Sequence, residues 1–282
     1  MAAIDDVFAG LAHGQVIPYL GPGVLAATPG SEVLPASPAQ LVQRLIAKAS
    51  VPHKIRNNLT ATAQFIENFK HRKTVMTLMT EAFTPEAAPG ALHCYLAALP
   101  ELPLIVAMWY DDLMQKALGA RRNWGQVQGI SQAEYFGTWT HYFGADGALV
   151  DEAQAHDWST LLYQPLGSVS PARNFLVSDS DYVEVLTEID IQTPIPALVQ
   201  ERRRDGHFLF LGCHFVNQLD RLFARQIMKR SSDRHWALIE GELTRNEARF
   251  LAEKNIVRID MSLAEFLAHA GQGGTLPLAA AV

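Results

Sequence analysis

The chain has 282 residues, of which 49% are hydrophobic and 18% charged, and its formal net charge is −6. This composition excludes a disordered chain, and the length predicts one large domain or a domain with an inserted module. The acidic balance gives no reason to expect nucleic acid or an anionic membrane as a partner. The N-terminus, MAAIDDVFAG, carries two acids where a signal peptide would carry positive charge. We therefore expect a cytoplasmic protein.

The sequence contains two cysteines, Cys94 and Cys213. Two cysteines exclude a four-cysteine zinc site, and in a reducing compartment we expect both to be small core side chains without a disulfide. The one basic run, ERRRDG at residues 201–206, is bracketed by acids and predicts a solvated helix end.

The first elements are a helix, a short strand and a glycine turn. Residues 3–13 place apolar side chains at helical spacing, and the strand QVIPYL follows. This strand runs directly into Gly21-Pro22-Gly23, a turn with almost no side chain that either lets a ligand lie against the main chain or is an ordinary turn. SPAQLVQRLIAKAS then begins a helix with Ser37 as its cap, and two or three further helices follow.

The later part of the chain alternates strands with helices. Residues 102–118, LPLIVAMWYDDLMQKAL, predict a buried strand that leads into a helix, and residues 207–227, HFLFLGCHFVNQLDRLFARQI, repeat the pattern. We predict an α/β fold with a Rossmann-like, doubly wound parallel sheet of about six strands and helices on both faces. The strands at 15–20, 103–108 and 207–212 are expected to share this sheet.

Residues 119–158 have no long regular period and are rich in aromatic, glycine and polar residues. We predict that they form a small inserted module, a separate cap over the ligand edge of the sheet. Residues 1–118 and 159–270 together then form one Rossmann-like domain. The low-complexity tail, residues 271–282, is predicted to be flexible.

Three strand-to-helix turns carry polar or glycine-rich residues at the edge where parallel α/β sheets bind ligands. Gly21–Val24 is either a cradle for a pyrophosphate, with Pro22 lacking a donor, or a plain turn. Asp111 either binds a ribose hydroxyl or caps the next helix, and His214 is either a general base or a structural histidine. The histidines show no metal-ligand spacing, so no metal is expected.

The order of these landmarks resembles the sirtuin-like (Sir-two-type) superfamily, and more closely its bacterial branch of NAD-hydrolysing and NAD-sensing domains. VIPYLGPGVL, LPLIVAMWYDDLMQKAL, LLYQPLGSVSPARNFLVSDSDYVEVL and LFLGCHFVNQLDRLF follow in the family's order over about residues 3–270. The resemblance implies NAD, ADP-ribose or a related nucleotide as ligand. The nucleotide-binding positions that it implies are Gly21, Pro22, Gly23, Val24, Trp109, Asp111, Gly167, Ser168, Gly212, Cys213, His214 and Asn217.

The same resemblance implies that the catalytic motifs are degenerate. The family's Thr-Thr-Asn-Tyr-Asp is Ala-Met-Trp-Tyr-Asp here, so Trp109 stands at the position of the catalytic asparagine. The family's Lys-Leu-His-Gly-Ser is Gln-Pro-Leu-Gly-Ser, so Leu166 replaces the histidine base. Neither side chain can orient a ribose or accept a proton. The zinc cysteines are absent as well, so neither zinc nor deacylation is expected.

Three hypotheses follow from these residues. The first is a catalytically inactive sirtuin-like protein that binds a nucleotide as a sensor or uses the fold to bind a protein partner. The second is an active NAD glycohydrolase with relocated catalytic groups, for which His214, Asp111 and Gln164 are the candidates. The third is a structural interaction protein whose pocket is filled by Trp109. The ligand, the partner and the oligomeric state stay open.

Overall fold

The computed structural model describes residues 2–132, 135, 137–191 and 195–272. Every helix in these ranges is too short or too polar to span a bilayer. The helices are α1 (Ala2–Ala12), α2 (Gly23–Ala26), α3 (Pro38–Lys48), α4 (Leu59–Lys70), α5 (Arg72–Phe83), α6 (Ala91–Ala98), α7 (Leu113–Leu118), α8 (Glu152–Ala155), α9 (Asp179–Ile191), α10 (Ala197–Arg202), α11 (Gln218–Met228), α12 (Arg245–Glu253) and α13 (Leu263–Gln272). The strands are β1 (Val16–Leu20), β2 (Leu104–Ala107), β3 (Trp124–Gly129), β4 (Thr140–Gly144), β5 (Leu149–Val150), β6 (Thr160–Gln164), β7 (Gly167–Ser168), β8 (Asn174–Phe175), β9 (His207–Leu211), β10 (His235–Leu238) and β11 (Ile256–Ile259).

The described chain forms a nine-stranded sheet in the order β11-β10-β9-β1-β2-β6-β3-β4-β5. The strands from β11 through β3 pair in parallel, and β4 and β5 are added antiparallel. The strand order reverses between β1 and β9, because the chain moves from β1 toward β2 and from β9 toward β10. The predicted α/β fold with a mostly parallel sheet is confirmed, but the sheet is larger than the predicted size.

Helices cover both faces of the sheet because successive residues of a strand point to opposite sides. In β1, Ile17 and Tyr19 belong to one core cluster, together with buried side chains of α3, α4, α5 and α11. Val16 and Leu20 belong to the other cluster, together with α1, α6 and α13. Burial on both faces explains the continuous apolar runs of the central strands.

The segment 119–158, predicted to form a separate cap, contributes strands that extend the central sheet. Strand β3 pairs in parallel with β6, and β4 and β5 follow at the edge. All of β3 is buried, yet its sequence, WGQVQG, has little of the apolar pattern of a core strand. Gly125 leaves room for the ring of Trp158, since a Cβ there would lie 2.4 Å from that ring. The division into a domain and an inserted module stays a prediction.

Two smaller predictions, for Cys94 and for the basic run, are wrong. The predicted tail lies only in part within the described residues. Cys213 is buried as expected, but Cys94 is exposed, on a helix that turns Leu92 and Leu96 toward the core. Within the basic run, Arg203 is 2% exposed and donates to the carbonyls of Gln226 and Ile227 at the end of α11, where a cation stabilises the helix dipole. Of the predicted tail, residues 271–272 belong to α13, and 273–282 lie outside the described residues.

A buried ion pair ties α5 to the start of α9. Arg72 Nη1 lies 2.8 Å from Asp181 Oδ2 and 3.0 Å from Glu67 Oε2. The Asp181 side chain is only 3% exposed, and the same oxygen accepts hydrogen bonds from the backbone N–H groups of Val177 and Ser178. A single carboxylate thereby fixes the chain between β8 and α9.

Replacing Arg72 should therefore destabilise the fold. We expect Arg72→Met to lower the free energy of unfolding by about 3–5 kcal/mol, because the Asp181 carboxylate would remain buried without its cation. Urea unfolding measures this loss. The exposed neighbour Lys73 supplies the control, since Lys73→Met should change stability by no more than about 0.5 kcal/mol. Equal effects of the two substitutions would show that the buried pair does not stabilise the fold.

Candidate functional site

The predicted site turns lie together at one edge of the sheet, at the carboxyl ends of β1, β2, β6 and β9. The ends of β1 and β2 lie side by side, since Met108 N donates a hydrogen bond to Leu20 O at 2.8 Å. Strand β9 borders β1 on its other side. The chain after β6 reaches the turn after β2, where Val169 N donates to Tyr110 O at 2.9 Å. The structure thus gathers the turns that the sequence predicted to form the site.

The turns after β1 and β9 interlock where the strand order reverses. A Cβ on Gly21 would lie 2.5 Å from the carbonyl oxygen of Gly212, and a Cβ on Gly23 would lie 2.7 Å from the same atom. Gly212 has a φ of +62°, and a Cβ there would lie 2.3 Å from the nitrogen of Val24. All three positions therefore require glycine, because the two backbones touch.

The backbone donors of the first turn are used within the protein. Gly21 N donates to Leu211 O and Gly23 N donates to Gly212 O, both at 2.9 Å. The N–H groups of residues 24–27 donate to carbonyl groups of residues 21–23, and Pro22 has no N–H. The predicted pyrophosphate cradle therefore has no spare donor from residues 21–27 in this conformation. A nucleotide-binding role for these residues stays a prediction.

Trp109 is buried at the same edge. Its side chain is 6% exposed and packs against the rings of Phe83 and Tyr110, at centroid distances of 5.9 and 5.1 Å. Its indole Nε1 donates to Pro35 O at 2.8 Å. Pro35 belongs to residues 27–37, the strap between α2 and α3. Ser31 Oγ donates within this strap to Thr28 O. Trp109 therefore attaches the strap to the end of β2.

Asp111 caps the helix that follows β2. Its Oδ1 accepts a hydrogen bond from Leu113 N at 3.0 Å, as the simpler of the two sequence interpretations predicts. Burial raises the pKa of Asp111 to about 6, although the hydrogen bond from Leu113 acts in the opposite direction. The carboxyl group is therefore close to half-protonated near pH 6.

The turn after β6 is tightly packed. Leu166, at the position that the resemblance assigns to a histidine base, is 5% exposed. Gly167 has a φ of +77°, and a Cβ there would lie 2.1 Å from Asn174 O across the β7–β8 pair. Ser168 is fully buried, and its Oγ lies 3.2 Å from Asp111 O, to which it can donate. These contacts make Gly167 and Ser168 parts of the turn packing.

A buried amide cluster, formed by Gln115, Gln126, Gln128 and Gln164, lies beside this turn and was not predicted. Gln164 Oε1 accepts from Gln115 Nε2 at 2.8 Å and from Gln128 Nε2 at 3.1 Å. Gln128 Nε2 also donates to Gln126 Oε1 at 2.9 Å. Within the described residues, Gln128 Oε1 has no hydrogen-bond partner. The hydrogen bonds of the cluster thus use the side-chain oxygen of Gln164, one of the three candidates for relocated catalysis.

The turn after β9 is anchored by an acid that sequence analysis did not single out. Glu247 is 3% exposed, and its Oε1 accepts from Phe215 N at 3.0 Å. Its Oε2 accepts from the Thr244 hydroxyl at 2.8 Å. Burial acts to raise the pKa of Glu247, but the hydrogen bonds from Thr244 and Phe215 hold it below its ordinary value. The Thr-x-x-Glu capping box of α12 was the available signal.

The remaining predicted residues of this turn have local partners. His214 is 67% exposed, and its Nδ1 lies 3.7 Å from Glu247 Oε1. Asn217 Oδ1 accepts from Leu219 N and caps α11. Cys213 is buried, and burial raises the pKa of its thiol well above the ordinary value. A thiol in this state is a poor nucleophile.

Taken together, these contacts do not fit an NAD-like nucleotide at this edge in the conformation described. The donors of the glycine turn are used, the Trp109 indole is packed under the strap, and Leu166 has no polar atom to offer. Among the described residues, no three side chains of histidine, cysteine, aspartate or glutamate come together to hold a metal ion.

One comparison with known proteins identifies a family. A model of the SIR2-like domain matches residues 103–259, more than half of the chain. A solved structure, "Structural Basis for the Mechanism and Regulation of Sir2 Enzymes", aligns over 96% of this chain and 97% of its own, with 13% identity and a TM-score of 0.45. The curated proteins contain no match.

The interlocked turns predict that Gly23→Ala destabilises the fold itself. The added methyl group would meet the backbone of Gly212, so we expect a loss of about 1–3 kcal/mol in the free energy of unfolding. Gly30→Ala is the control. A Cβ at Gly30 meets nothing within 4 Å, and only its φ of +79° opposes alanine, at a cost of about 1 kcal/mol. A smaller loss at Gly23 than at Gly30 would contradict the interlock.

Asp111 should make stability depend on pH. Its folded pKa is raised to about 6, so it contributes stability at low pH that is lost as the pH rises through 6. Asp111→Asn keeps an acceptor for Leu113 N but does not ionise. From pH 4 to pH 7 the stability of this variant should rise relative to wild type by on the order of 1 kcal/mol. Urea unfolding at several pH values measures the difference, and parallel curves for the two proteins would contradict the raised pKa.

Proposed function

Because the chain belongs to the SIR2-like domain family, we propose that it is a catalytically inactive member that acts by binding a protein partner. One observation carries this proposal. Trp109, at the position that the resemblance assigns to the catalytic asparagine, is buried and bonded through its indole to Pro35 of the strap. An indole in this position supplies no base and leaves no polar group to orient a ribose.

The candidates for relocated catalysis have other partners, which further supports inactivity. Asp111 Oδ1 caps Leu113, Gln164 holds two amides of the buried cluster, and His214 lies beside Glu247. A general base must reach the proton that it removes, directly or through one water molecule. The hydrogen bonds of Asp111 and Gln164 are thus used within the protein, and His214 is exposed beside Glu247.

Nucleotide sensing is the second candidate function. The observation in its favour is that the strap is joined to Trp109 by a single indole hydrogen bond, at 2.8 Å. A hydrogen bond of this kind stabilises a structure by only about 0.5–1.5 kcal/mol. NAD or ADP-ribose would then bind by displacing the strap and the indole, and strap movement would be the signal.

Nicotinamide release tests the inactivity. Purified protein incubated with NAD should release no more nicotinamide than buffer alone, because Trp109 and Leu166 replace the groups that the chemistry needs. Clear turnover that His214→Ala abolishes would overturn the proposal in favour of relocated catalysis.

Calorimetric titration separates protein binding from nucleotide sensing. We expect no heat of binding when wild type is titrated with millimolar ADP-ribose. Trp109→Phe is the matched variant, because it keeps an aromatic ring and removes the donor to Pro35. Binding by wild type that becomes tighter in Trp109→Phe would favour the sensor, since the strap would then open more easily. Absence of binding in both proteins supports a module for protein contacts.

A further inference from the structure

A groove rich in basic side chains runs between α11 and α12. Two cavities, of about 250 and 490 Å³, share the lining residues Arg225 and Glu253 and are therefore adjacent. Phe250 and Met228 belong to the lining but are core residues, only 2% and 6% exposed. Its cations are Arg221, Arg225, Lys229, Arg249 and Lys254, and its carboxylates are Asp233 and Glu253. We name this surface the basic groove.

The positive charge of the basic groove follows from helical spacing. Arg221, Arg225 and Lys229 are four residues apart and share one face of α11 and the turn after it. One carboxylate, Glu253, pairs with one of the cations, since its Oε1 lies 2.6 Å from Arg249 Nε, so the lining keeps four further cations and one further carboxylate. This concentration of cations stands out in a chain whose net charge is −6. The groove therefore fits an acidic partner.

The opposite end of the sheet carries the matching charge. A cavity of about 450 Å³ is lined by β5 and the start of α8, including Asp151 and Glu152, and its lining residues include no lysine or arginine. Leu149 in the outermost strand is 63% exposed. A short strand at the end of a sheet also leaves backbone groups unpaired on its outer side. We name Leu149–Glu152 the acidic edge.

The basic groove and the acidic edge cannot meet within one molecule. The groove is formed by helices on either side of β10 in sequence, and seven strand spacings separate β10 from β5 in the sheet. At about 4.8 Å per spacing this is roughly 34 Å. The charges of the two surfaces are opposite.

We infer that copies of this protein associate head to tail, with the acidic edge of one copy seated on the basic groove of the next. Such a contact uses different surfaces on the two partners, so it builds a ring if the rotation closes and a filament if it does not. Nucleic acid fits less well, because the chain as a whole is acidic and two carboxylates lie within the groove. The association needs nothing from the Trp109 edge, so it can fail without affecting the proposed function.

Sedimentation velocity of the full chain tests the inference. Over a range of protein concentrations at 50 mM NaCl, we expect an average mass above that of one chain, which falls toward one chain at 1 M NaCl because the charges are screened. Arg225→Glu and Glu152→Lys should each weaken association at least tenfold. Lys54→Glu makes the same charge change as Arg225→Glu at an exposed position outside both surfaces, and it should have no effect.

Mixing the two charge variants gives the sharpest result. Arg225→Glu keeps its acidic edge and Glu152→Lys keeps its basic groove, so neither should assemble alone. The mixture should associate, because the acidic edge of Arg225→Glu can meet the basic groove of Glu152→Lys. Glu152→Gln keeps an acceptor for the Tyr142 hydroxyl, which donates to Glu152 Oε1 at 2.8 Å, and separates loss of charge from loss of this bond. Thermal melting of every variant confirms that it is folded.

Three results would overturn the inference. The first is a single chain at all concentrations and salts. The second is association that Arg225→Glu and Glu152→Lys leave unchanged. The third is wild type that stays monomeric but binds a polyglutamate peptide or a DNA oligonucleotide through Arg225, which would assign the basic groove to another acidic partner.

Discussion

The contact between two glycine turns is the constraint on which the candidate site depends. Gly21 and Gly23 pass so close to Gly212 that no side chain fits between them. This contact lies between β1 and β9, where the strand order reverses and where doubly wound folds usually open a crevice for a ligand. The hydrogen bonds that join the turns use the N–H groups of Gly21 and Gly23, donors that a phosphate would need.

The rest of the edge is organised around this closed crevice. Trp109 lies at the end of the neighbouring strand β2, and its indole fixes the strap. Beyond it, Ser168 joins the turn after β6 to the backbone of Asp111, and the buried amide cluster lies behind them. Each turn is therefore bound to its neighbour by hydrogen bonds or packing contacts.

The proposed association between copies depends on how charge is distributed along the sheet. Although the net charge is −6, charges of opposite sign are separated along the sheet. Cations lie between α11 and α12, and carboxylates lie at the β5 edge. Charge arranged in this way directs the orientation of an encounter more than it adds to affinity. The strands β3–β5 matter here because they move the acidic surface away from the central strands.

The sequence by itself determined the fold class and the identity of the turns. Continuous apolar strands such as β2 and β9, each followed by a helix, predict a parallel sheet because only strands buried on both faces need such runs. The order of the landmarks also indicated the family that the domain match later supported. The strand β3 escaped prediction because its glycines and glutamines do not form an apolar pattern. Its glutamines are buried with hydrogen bonds to each other, to Gln164 and to the Ser170 carbonyl.

Only the tertiary structure decided what the glycine turn does. Glycine permits close approach by a backbone or by a ligand. The sequence Gly-Pro-Gly alone does not predict which of the two will contact the turn. That choice depends on Gly212, which is distant in the sequence and reaches the turn only when β9 pairs with β1. The same holds for Trp109, whose partner Pro35 lies in a separate loop, and for the charged surfaces at the two ends of the sheet. Local sequence sets what a residue can do, and long-range pairing sets which neighbour it meets.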